Sequence, residues 1–597
     1  MSSRYDRRGG TFVVANSTVG PSVHQKSIAE DGEPRALRRP SMRVYKSKEP
    51  DIDVPLDLNL TELLHTSART PALQSDHVIA EDDIERRTLT IGQLRTSAGR
   101  LAKGLVEHYR PKDQSRWAIV LPNSIAYLEA VHAVLWLGGV FCPINHQLKA
   151  QELAHAFIVS RPAFVIAYAQ SVGKVLEALE LAGSGPSDFE KPELLTAIGA
   201  HVHGFPNLHS DFMTDDSLQI PHQNDNKKRL ASIHLSSGTT GFPKGVCLSV
   251  HNYIANVLQM WAHDPNHWSP EERVVSYTPF VHIANTTIPL FLGPWTGMVH
   301  IIMASFETEE FAKTIQRTKA TAAQISPMTA LAIGTTDLVD RYDFSSIRHM
   351  VCGPLPLKQK DYEKFMRRGH WKTVTLYGMT EAAPYVTWQK IEEKMALGES
   401  GSLLPNIRCS LRLETGEDAP EGGPGELWLK GPNMTAGYLD NPDANRVAFD
   451  EDGWYNTGDV CTLSSEGHLR VVGRTKELIK YNGFQVSPTE LEAHIISHPS
   501  VADAAVNGNW DADKMTELPT AYVVLKENLK QISKKVGALQ DIQKSVDSQV
   551  TGYKKLRGGV FEVTELPRTT TMKLLRKQLG LHKTGLSSTI REKDHKL

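Results

Sequence analysis

Residues 235–246 read LSSGTTGFPKGV, a short stretch that combines two Ser, two Thr, three Gly and one Lys. Glycine lets the backbone approach an anion closely, and hydroxyls and amides can then surround phosphate oxygens. The flexible side chain of Lys244 adds a positive charge. The stretch therefore predicts a phosphate-binding loop. Its predicted ligands are Ser236, Ser237, Gly238, Thr239, Thr240, Gly241 and Lys244.

This loop differs from the P-loop of nucleotidases. That motif requires Gly-Lys followed by Ser or Thr on a strand-to-helix turn, whereas Lys244 lies between Pro243 and Gly245. A generic Gly/Ser turn is the alternative interpretation of the stretch taken alone.

Four further stretches argue against a generic turn. They are LYGMTEAAP (376–384), YNTGDV (455–460), GRTKELIKYNGFQVSPTELE (473–492) and PRTTTMKLLRKQL (567–579). Together and in this order they resemble the adenylate-forming superfamily, which includes acyl-CoA synthetases, coumarate–CoA ligases, beetle luciferases and peptide-synthetase adenylation domains. The resemblance covers about residues 60 to 580. It implies an α/β fold, with a large N-terminal domain of layered α/β sheets and a small, mobile C-terminal α+β domain.

The pattern along the chain agrees with this organisation, since short apolar runs alternate with helical patterns as in layered α/β proteins. Residues 1–52 are rich in basic residues, Ser, Gly and Pro, which predicts a disordered extension, with a mitochondrial presequence as the alternative. We place the AMP-binding domain at 53–473, the mobile domain at 474–580 and a tail at 581–597. In the mobile domain Ser487, Pro488 and Glu490 predict a helix start with a capping box.

The resemblance implies a two-step reaction. A carboxylate attacks the α-phosphate of ATP and expels pyrophosphate, and a thiol, most simply that of coenzyme A, then attacks the acyl-adenylate. By this resemblance Thr380 binds the α-phosphate, Glu381 binds Mg²⁺, and Asp459 and Arg474 bind the ribose. The other implied nucleotide contacts are Gly353, Pro354, Tyr377 and Gly378.

The acyl site is implied by TPFVHIANT (278–286), where His282 corresponds to a histidine beside the carboxylate and the thiol path. Coumarate ligases resemble FHIYAL here, whereas this chain has Ala284, which opens the pocket; Tyr385 stands at a small-residue position and fills it. Amino-acid-activating domains have an Asp near residue 280 that this chain lacks. We therefore expect a medium-chain or aryl acid without an α-amino group.

The C-terminal motifs imply the mobile parts. Lys573 corresponds to the catalytic lysine that bridges the substrate carboxylate and the α-phosphate, although Met572 replaces the usual glycine before it. Lys476 corresponds to the hinge about which the small domain rotates between the two steps. Gly483 is expected near the pantetheine path.

Bulk composition excludes some function classes. Lys plus Arg is 66 and Asp plus Glu is 68, so the net charge of -2 gives no electrostatic reason to expect nucleic acid as a partner. The five cysteines lie far apart, which predicts neither a disulfide framework nor a zinc site. No apolar run reaches the roughly 20 residues of a membrane span.

Three other functions remain open from the sequence. A stand-alone enzyme of this class could load a separate carrier protein instead of coenzyme A. An inactive adenylate-binding scaffold is disfavoured because Glu381, Asp459, Arg474 and Lys573 are all present. A luciferase-like oxygenase has no positive sign.

The chain ends in His595-Lys596-Leu597, which resembles the C-terminal tripeptide read by the peroxisomal receptor, with His in place of Ser. We predict a peroxisomal protein, with the cytoplasm as the alternative. With the chain tagged at its N-terminus, deletion of the last three residues should disperse a punctate fluorescence signal. A signal that is already diffuse for the intact chain would contradict the peroxisomal assignment.

Overall fold

A computed structural model describes residues 42–65, 73–83, 85–222, 224–236, 243–353, 359–475, 477–481, 484–511, 514, 516–526, 531–550, 552–568, 574–579 and 583–588. The chain divides into Met1–Met42 and one compact unit, Arg43–Leu597. None of the helices in the described residues is long and apolar enough to cross a membrane.

The strands of the described residues are numbered in chain order. They are β1 Tyr45–Lys46, β2 Val78–Asp82, β3 Arg87–Thr90, β4 Arg116–Val120, β5 Val140–Pro143, β6 Phe164–Tyr168, β7 Glu193–Ala197, β8 Leu230–Ser236, β9 Lys244–Ser249, β10 Arg273–Ser276, β11 Val299–Ile302, β12 Ala322–Ile325, β13 His349–Cys352, β14 Lys372–Gly378, β15 Tyr385–Trp388, β16 Glu399–Leu403, β17 Arg408–Arg412, β18 Gly425–Lys430, β19 Gly437–Tyr438, β20 Tyr455–Leu463, β21 His468–Arg474, β22 Ile479–Tyr481, β23 Phe484–Val486, β24 Val501–Asp511, β25 Thr516–Leu525, β26 Val560–Val563 and β27 Lys583–Ser587.

The α-helices are numbered in the same way. They are α1 Leu60–His65, α2 Ile91–Tyr109, α3 Ile125–Trp136, α4 Ala150–Ser160, α5 Val172–Gly183, α6 Leu208–Phe212, α7 Val250–His263, α8 Ala284–Thr287, α9 Gly293–Thr296, α10 Thr308–Thr318, α11 Pro327–Thr335, α12 Leu338–Arg341, α13 Gln359–Arg367, α14 Pro442–Ala448, α15 Pro488–Ile496 and α16 Ile532–Gln549. A π-helical turn covers Ile288–Leu292, and 3-10 turns cover Ala169–Ser171, Thr380–Ala382, Gly552–Lys554 and Arg576–Gln578.

Two large sheets and their helices form the N-terminal part. The larger sheet has the order β1-β17-β18-β20-β21-β16-β15-β14-β13-β12-β10-β11-β2-β3, and its segment from β14 to β2 is parallel. The second has the order β19-β9-β8-β5-β4-β6-β7, with β8 to β7 parallel. Parallel strands are covered on both faces, and every residue of α3 is accordingly buried. The predicted layered α/β architecture is confirmed.

A smaller sheet, β24-β25-β26-β27, packs with α15 and α16 around its own apolar core. Ser487 caps α15 by accepting a hydrogen bond from the Glu490 amide (3.4 Å), and Pro488 occupies the first turn, as predicted. The Glu490 carboxylate, however, binds the Lys554 ammonium at 2.7 and 2.8 Å instead of completing the predicted capping box. An ammonium offers a stronger, charge-assisted hydrogen bond than a backbone amide does.

Both predicted terminal boundaries need correction. Composition placed residues 43–52 in the extension, but β1 pairs antiparallel with β17, and Glu49 binds His263 (2.7 Å) and Lys390 (2.6 Å). The predicted tail at 581–597 likewise begins too early, because β27 pairs with β26. Both segments complete a sheet edge, which composition does not report. Residues 589–597, including the C-terminal tripeptide, lie outside the described residues.

Buried histidines make the stability of this fold depend on pH. Burial lowers the pKa of several of them, including His132 and His349 to about 4, and His234 and His300 to about 3. In the unfolded chain histidine has a pKa of about 6.5. Below that pH the unfolded state binds more protons than the native state, so the free energy of unfolding falls as the pH is lowered.

We predict that lowering the pH from 7.5 to 5.5 destabilises the protein by about 1 kcal/mol for each of these four histidines. The melting temperature followed by circular dichroism should fall accordingly. Glu49 and Glu129, whose pKa values stand at about 2, stay ionised throughout this range and do not contribute. A melting temperature that is constant or rises over this range would contradict the neutral burial of the four rings.

Candidate active site

The predicted phosphate loop connects two antiparallel strands. β8 ends at Ser236 and β9 begins at Lys244, and these two residues lie opposite each other in the register. The Lys244 ammonium lies 5.1 Å from the centre of the Tyr438 ring. The other predicted ligands, Ser237, Gly238, Thr239, Thr240 and Gly241, lie outside the described residues. The hairpin therefore fixes both ends of the loop and directs Lys244 towards Tyr438.

Glu381 lies in the 3-10 turn that follows β14, beside the partly exposed Thr380. Its carboxylate accepts a hydrogen bond from the Tyr438 hydroxyl (2.9 Å), which lies 3.0 Å from the Tyr455 hydroxyl. Burial raises the pKa of Glu381. Within the described residues this carboxylate has no ion pair. A buried carboxylate with hydroxyl donors and no ion pair among the described residues is suited to bind a divalent cation, so the residue present fits the predicted Mg²⁺ ligand.

Gly378 is required by the close approach of the chain at this turn. A Cβ atom there would lie 2.4 Å from the carbonyl oxygen of Pro384. Only glycine allows β14 to run into the turn that carries Thr380 and Glu381.

Asp459 lies on β20, directly opposite Arg474 on β21. One carboxylate oxygen is 3.0 Å from Nε of Arg474, and the other accepts a hydrogen bond from the Tyr377 hydroxyl at 2.6 Å. The side chain of Asp459 is 7% exposed and that of Arg474 is 41% exposed. Burial raises the pKa of Asp459, and Arg474 opposes this shift. The pair therefore presents a carboxylate and a guanidinium edge together, as recognition of ribose hydroxyls requires.

His282 lies on the segment that leaves β10. Its side chain is exposed, yet the protein around it lowers its pKa by desolvation, so its imidazole is neutral at neutral pH. His234, whose ring is buried and bonds the Tyr253 hydroxyl at 2.8 Å, lies close behind it. A histidine that solvent can reach, but that has enough protein around it to lower its pKa, is typical of the wall of a cleft.

The two departures from the coumarate-ligase pattern contact each other. The Tyr385 ring is fully buried, and its hydroxyl donates a hydrogen bond to the carbonyl oxygen of Ala284 at 2.5 Å. Asn256 binds the backbone of Tyr385 through both its N–H and its carbonyl oxygen. The Tyr385 side chain therefore fills space beside α8.

The adenine side is described only in part. Gly353 follows β13, the parallel neighbour of β14, and no atom of the described residues lies within 4 Å of where its Cβ would stand. Pro354, Lys476, Gly483 and Lys573 lie outside the described residues, so their predicted roles stay predictions.

Sequence reasoning missed Tyr438 and Tyr455 beside the carboxylate of Glu381. Tyr438 lies 57 residues beyond Glu381, on β19, which pairs with β9 of the other large sheet. Tyr455 lies within the quoted motif YNTGDV, but nothing in that motif points to Glu381. The contact depends on the meeting of two sheets and has no local signal.

Comparison with known proteins assigns this geometry to a family. The family model described as AMP-binding enzyme matches residues 66–439, and that of the AMP-binding enzyme C-terminal domain matches residues 490–573. This chain is an AMP-binding enzyme of the adenylate-forming superfamily. The predicted superfamily is therefore confirmed.

Several relatives of this AMP-binding enzyme carry names. A probable 4-coumarate–CoA ligase 2 of Dictyostelium discoideum is 31% identical over 90% of this chain and 97% of its own length. A 4-coumarate-CoA ligase 1 of Narcissus pseudonarcissus is 30% identical over 90% and 96%. The family model and these relatives confirm the predicted enzyme class, which is an ATP-dependent, AMP-forming acid–thiol ligase.

Solved structures share the fold of this AMP-binding enzyme. The ATP-bound MatB from Rhodopseudomonas palustris superposes with a TM-score of 0.76 at 23% identity, over 88% of this chain and 100% of its own. The anthranilate CoA ligase AuaEII, in complex with anthranoyl-AMP, superposes with a TM-score of 0.76 at 21% identity, over 88% and 97%.

Proposed function

We propose that this enzyme is an acid–CoA ligase. It joins a carboxylic acid to AMP from ATP, releasing pyrophosphate, and then transfers the acyl group to the thiol of coenzyme A, releasing AMP. The observation that carries the proposal is the pair of buried carboxylates, Glu381 and Asp459, beside the phosphate hairpin. The CoA-ligase names of its relatives support the choice of acceptor.

The nucleotide is bound through residues of three strands. Lys244 and the loop before it bind the phosphates, and Asp459 with Arg474 binds the ribose hydroxyls. Thr380 donates to the α-phosphate, where negative charge builds during adenylation. Glu381 would hold Mg²⁺, which would supply positive charge to the phosphates during adenylation.

The acid binds beside His282, and the neutral state of this imidazole suits the second step. The thiol must lose its proton as it attacks the adenylate carbonyl and AMP leaves. An imidazole with a lowered pKa is unprotonated at neutral pH and can accept that proton. No acidic side chain stands at residues 279–282 to bind a substrate ammonium, which supports an acid without an α-amino group.

We expect activity on a medium-chain or aryl acid and none on free α-amino acids, since leaving a buried ammonium unpaired costs on the order of 3 to 5 kcal/mol. A panel of acids scored by ATP–pyrophosphate exchange, with CoA-dependent AMP release measured alongside, tests both substrate and acceptor. Exchange with a proteinogenic amino acid above that of every plain acid would contradict the substrate class. AMP release that requires a carrier protein with a free thiol, rather than CoA, would favour carrier loading.

Lys573 offers a test that separates the two steps. An ammonium bridging the carboxylate and the α-phosphate acts only in adenylation, and removing such a donor costs about 3 to 4 kcal/mol. Lys573→Ala should therefore lower pyrophosphate exchange by roughly a hundred- to thousandfold. Conversion of synthetic acyl-adenylate to thioester should stay within about tenfold of wild type.

Two variants serve as comparisons. Lys476→Pro should give the reverse pattern, because proline fixes φ and stiffens the hinge. Lys577→Ala should retain exchange. Equal losses in both steps for Lys573→Ala would mean a structural lysine, and near-normal exchange would transfer the role to Lys577.

A further inference from the structure

Arg576 joins three separate elements of the small domain with one buried guanidinium. Its Nε donates to the Glu477 carboxylate at 2.9 Å, and its Nη1 donates to the Val506 carbonyl oxygen on β24 at 2.8 Å. Both terminal nitrogens also bind the Glu492 carboxylate on α15. The side chain of Arg576 is only 13% exposed.

The two carboxylates around Arg576 have different surroundings. Glu492 is as buried as Arg576 and also accepts the Val506 amide at 2.8 Å, so this pair is internal to the small domain. Glu477 is 27% exposed and belongs to a turn outside that core. If the contact between Arg576 and Glu477 is lost, the Arg576 guanidinium still has Glu492 as a bidentate partner.

The turn that carries Glu477 begins at Arg474, the partner of Asp459. The amide of Glu477 donates to the Arg474 carbonyl oxygen at 2.9 Å. Thr475, by contrast, is bound to the large domain: its amide donates to the Gly458 carbonyl oxygen (2.8 Å) and its hydroxyl to Glu426 (2.9 Å). Thr475 is thus bound to the large domain, whereas Glu477, two residues later, is bound to the small domain.

Arg576 also stands at one end of the segment that contains Lys573. Arg568 and Leu574 form an antiparallel bridge, and the Leu575 amide donates to the Pro567 carbonyl oxygen at 2.9 Å. Arg568 binds Asp503 at 2.9 Å on the other side of this bridge. The described residues on either side of this segment are therefore joined by the bridge and carry two arginine–carboxylate pairs, of which the Arg576 pair reaches the interdomain turn.

We propose that Arg576 is a positioning residue for adenylation, which ties residues 567–568 and 574–576, the neighbours of the Lys573 segment in the chain, to Glu477 at the interdomain turn. This inference rests on the proposed two-step function. The tie matters in adenylation, when Lys573 must reach the reacting groups, and is dispensable once the adenylate exists. Loss of the tie removes a fixed connection between the turn and the residues next to Lys573 in the chain, and misplacement of a catalytic group lowers the rate of the step that needs it.

The test uses Glu477→Gln in the full-length enzyme, because glutamine has the same size and leaves the Arg576–Glu492 pair in place. Asp503→Asn is the matched control: it neutralises the other arginine-paired carboxylate beside the same segment without touching the turn. We expect Glu477→Gln to lower kcat for pyrophosphate exchange on the order of tenfold, the effect of one charge-assisted hydrogen bond. Thioester formation from synthetic acyl-adenylate and the melting temperature should match wild type.

Arg576→Lys should show the same split between the steps, since one ammonium cannot reproduce the fork that reaches both carboxylates. Exchange that is unchanged in Glu477→Gln, or lowered equally in Asp503→Asn, would overturn the positioning role while leaving the proposed function intact. Equal losses in exchange and thioester formation would also overturn it. A wild-type enzyme without acid-dependent exchange would instead overturn the proposed function, and the positioning role with it.

Discussion

The site depends on the hydrogen-bonded ion pair in which Asp459 meets both the Tyr377 hydroxyl and the Arg474 guanidinium. A buried carboxylate is costly unless donors replace the lost water. Tyr377 supplies one donor from the end of β14, and Arg474 supplies the other from the opposing strand. This interaction joins the parallel and antiparallel parts of the larger sheet. It places Asp459 and Arg474, the pair proposed to bind the ribose, near the turn that carries Glu381.

The same sheet brings the other groups to one edge. β10, β13 and β14 are parallel neighbours through β12, so the segments that follow their carboxyl ends lie side by side. Those segments carry His282, Gly353 and the Thr380–Glu381 turn. The second sheet contributes Lys244 through the β8–β9 hairpin and Tyr438 through β19. The site is therefore assembled on rigid strands from two sheets, which preorganises its charges for the reaction.

Ala284 and Tyr385, the two departures from the coumarate-ligase pattern, must be considered together. Considered separately in the sequence, Ala284 is predicted to enlarge the acyl pocket and Tyr385 to reduce it. In the folded protein the Tyr385 hydroxyl is bound to the Ala284 carbonyl oxygen, and its ring is fully buried. Tyr385 is therefore fixed at two points. Asn256 binds its backbone, and the Ala284 carbonyl oxygen on α8 accepts a hydrogen bond from its hydroxyl.

The sequence alone determined the superfamily, the order of the motifs, the layered α/β class and the Ser487 cap, because these depend on local chemistry: glycines that approach phosphate, a capping hydroxyl and the alternation of apolar runs. It did not reveal that residues 43–52 and 583–587 are strand-forming parts of the domains, since an edge strand is selected by the partner it meets. It also did not reveal Tyr438 and Tyr455 beside Glu381, or the Arg576–Glu477 contact 99 residues apart in the chain. Only the tertiary structure decides such contacts, because the burial that makes a charge need a partner exists only after distant strands and helices have come together.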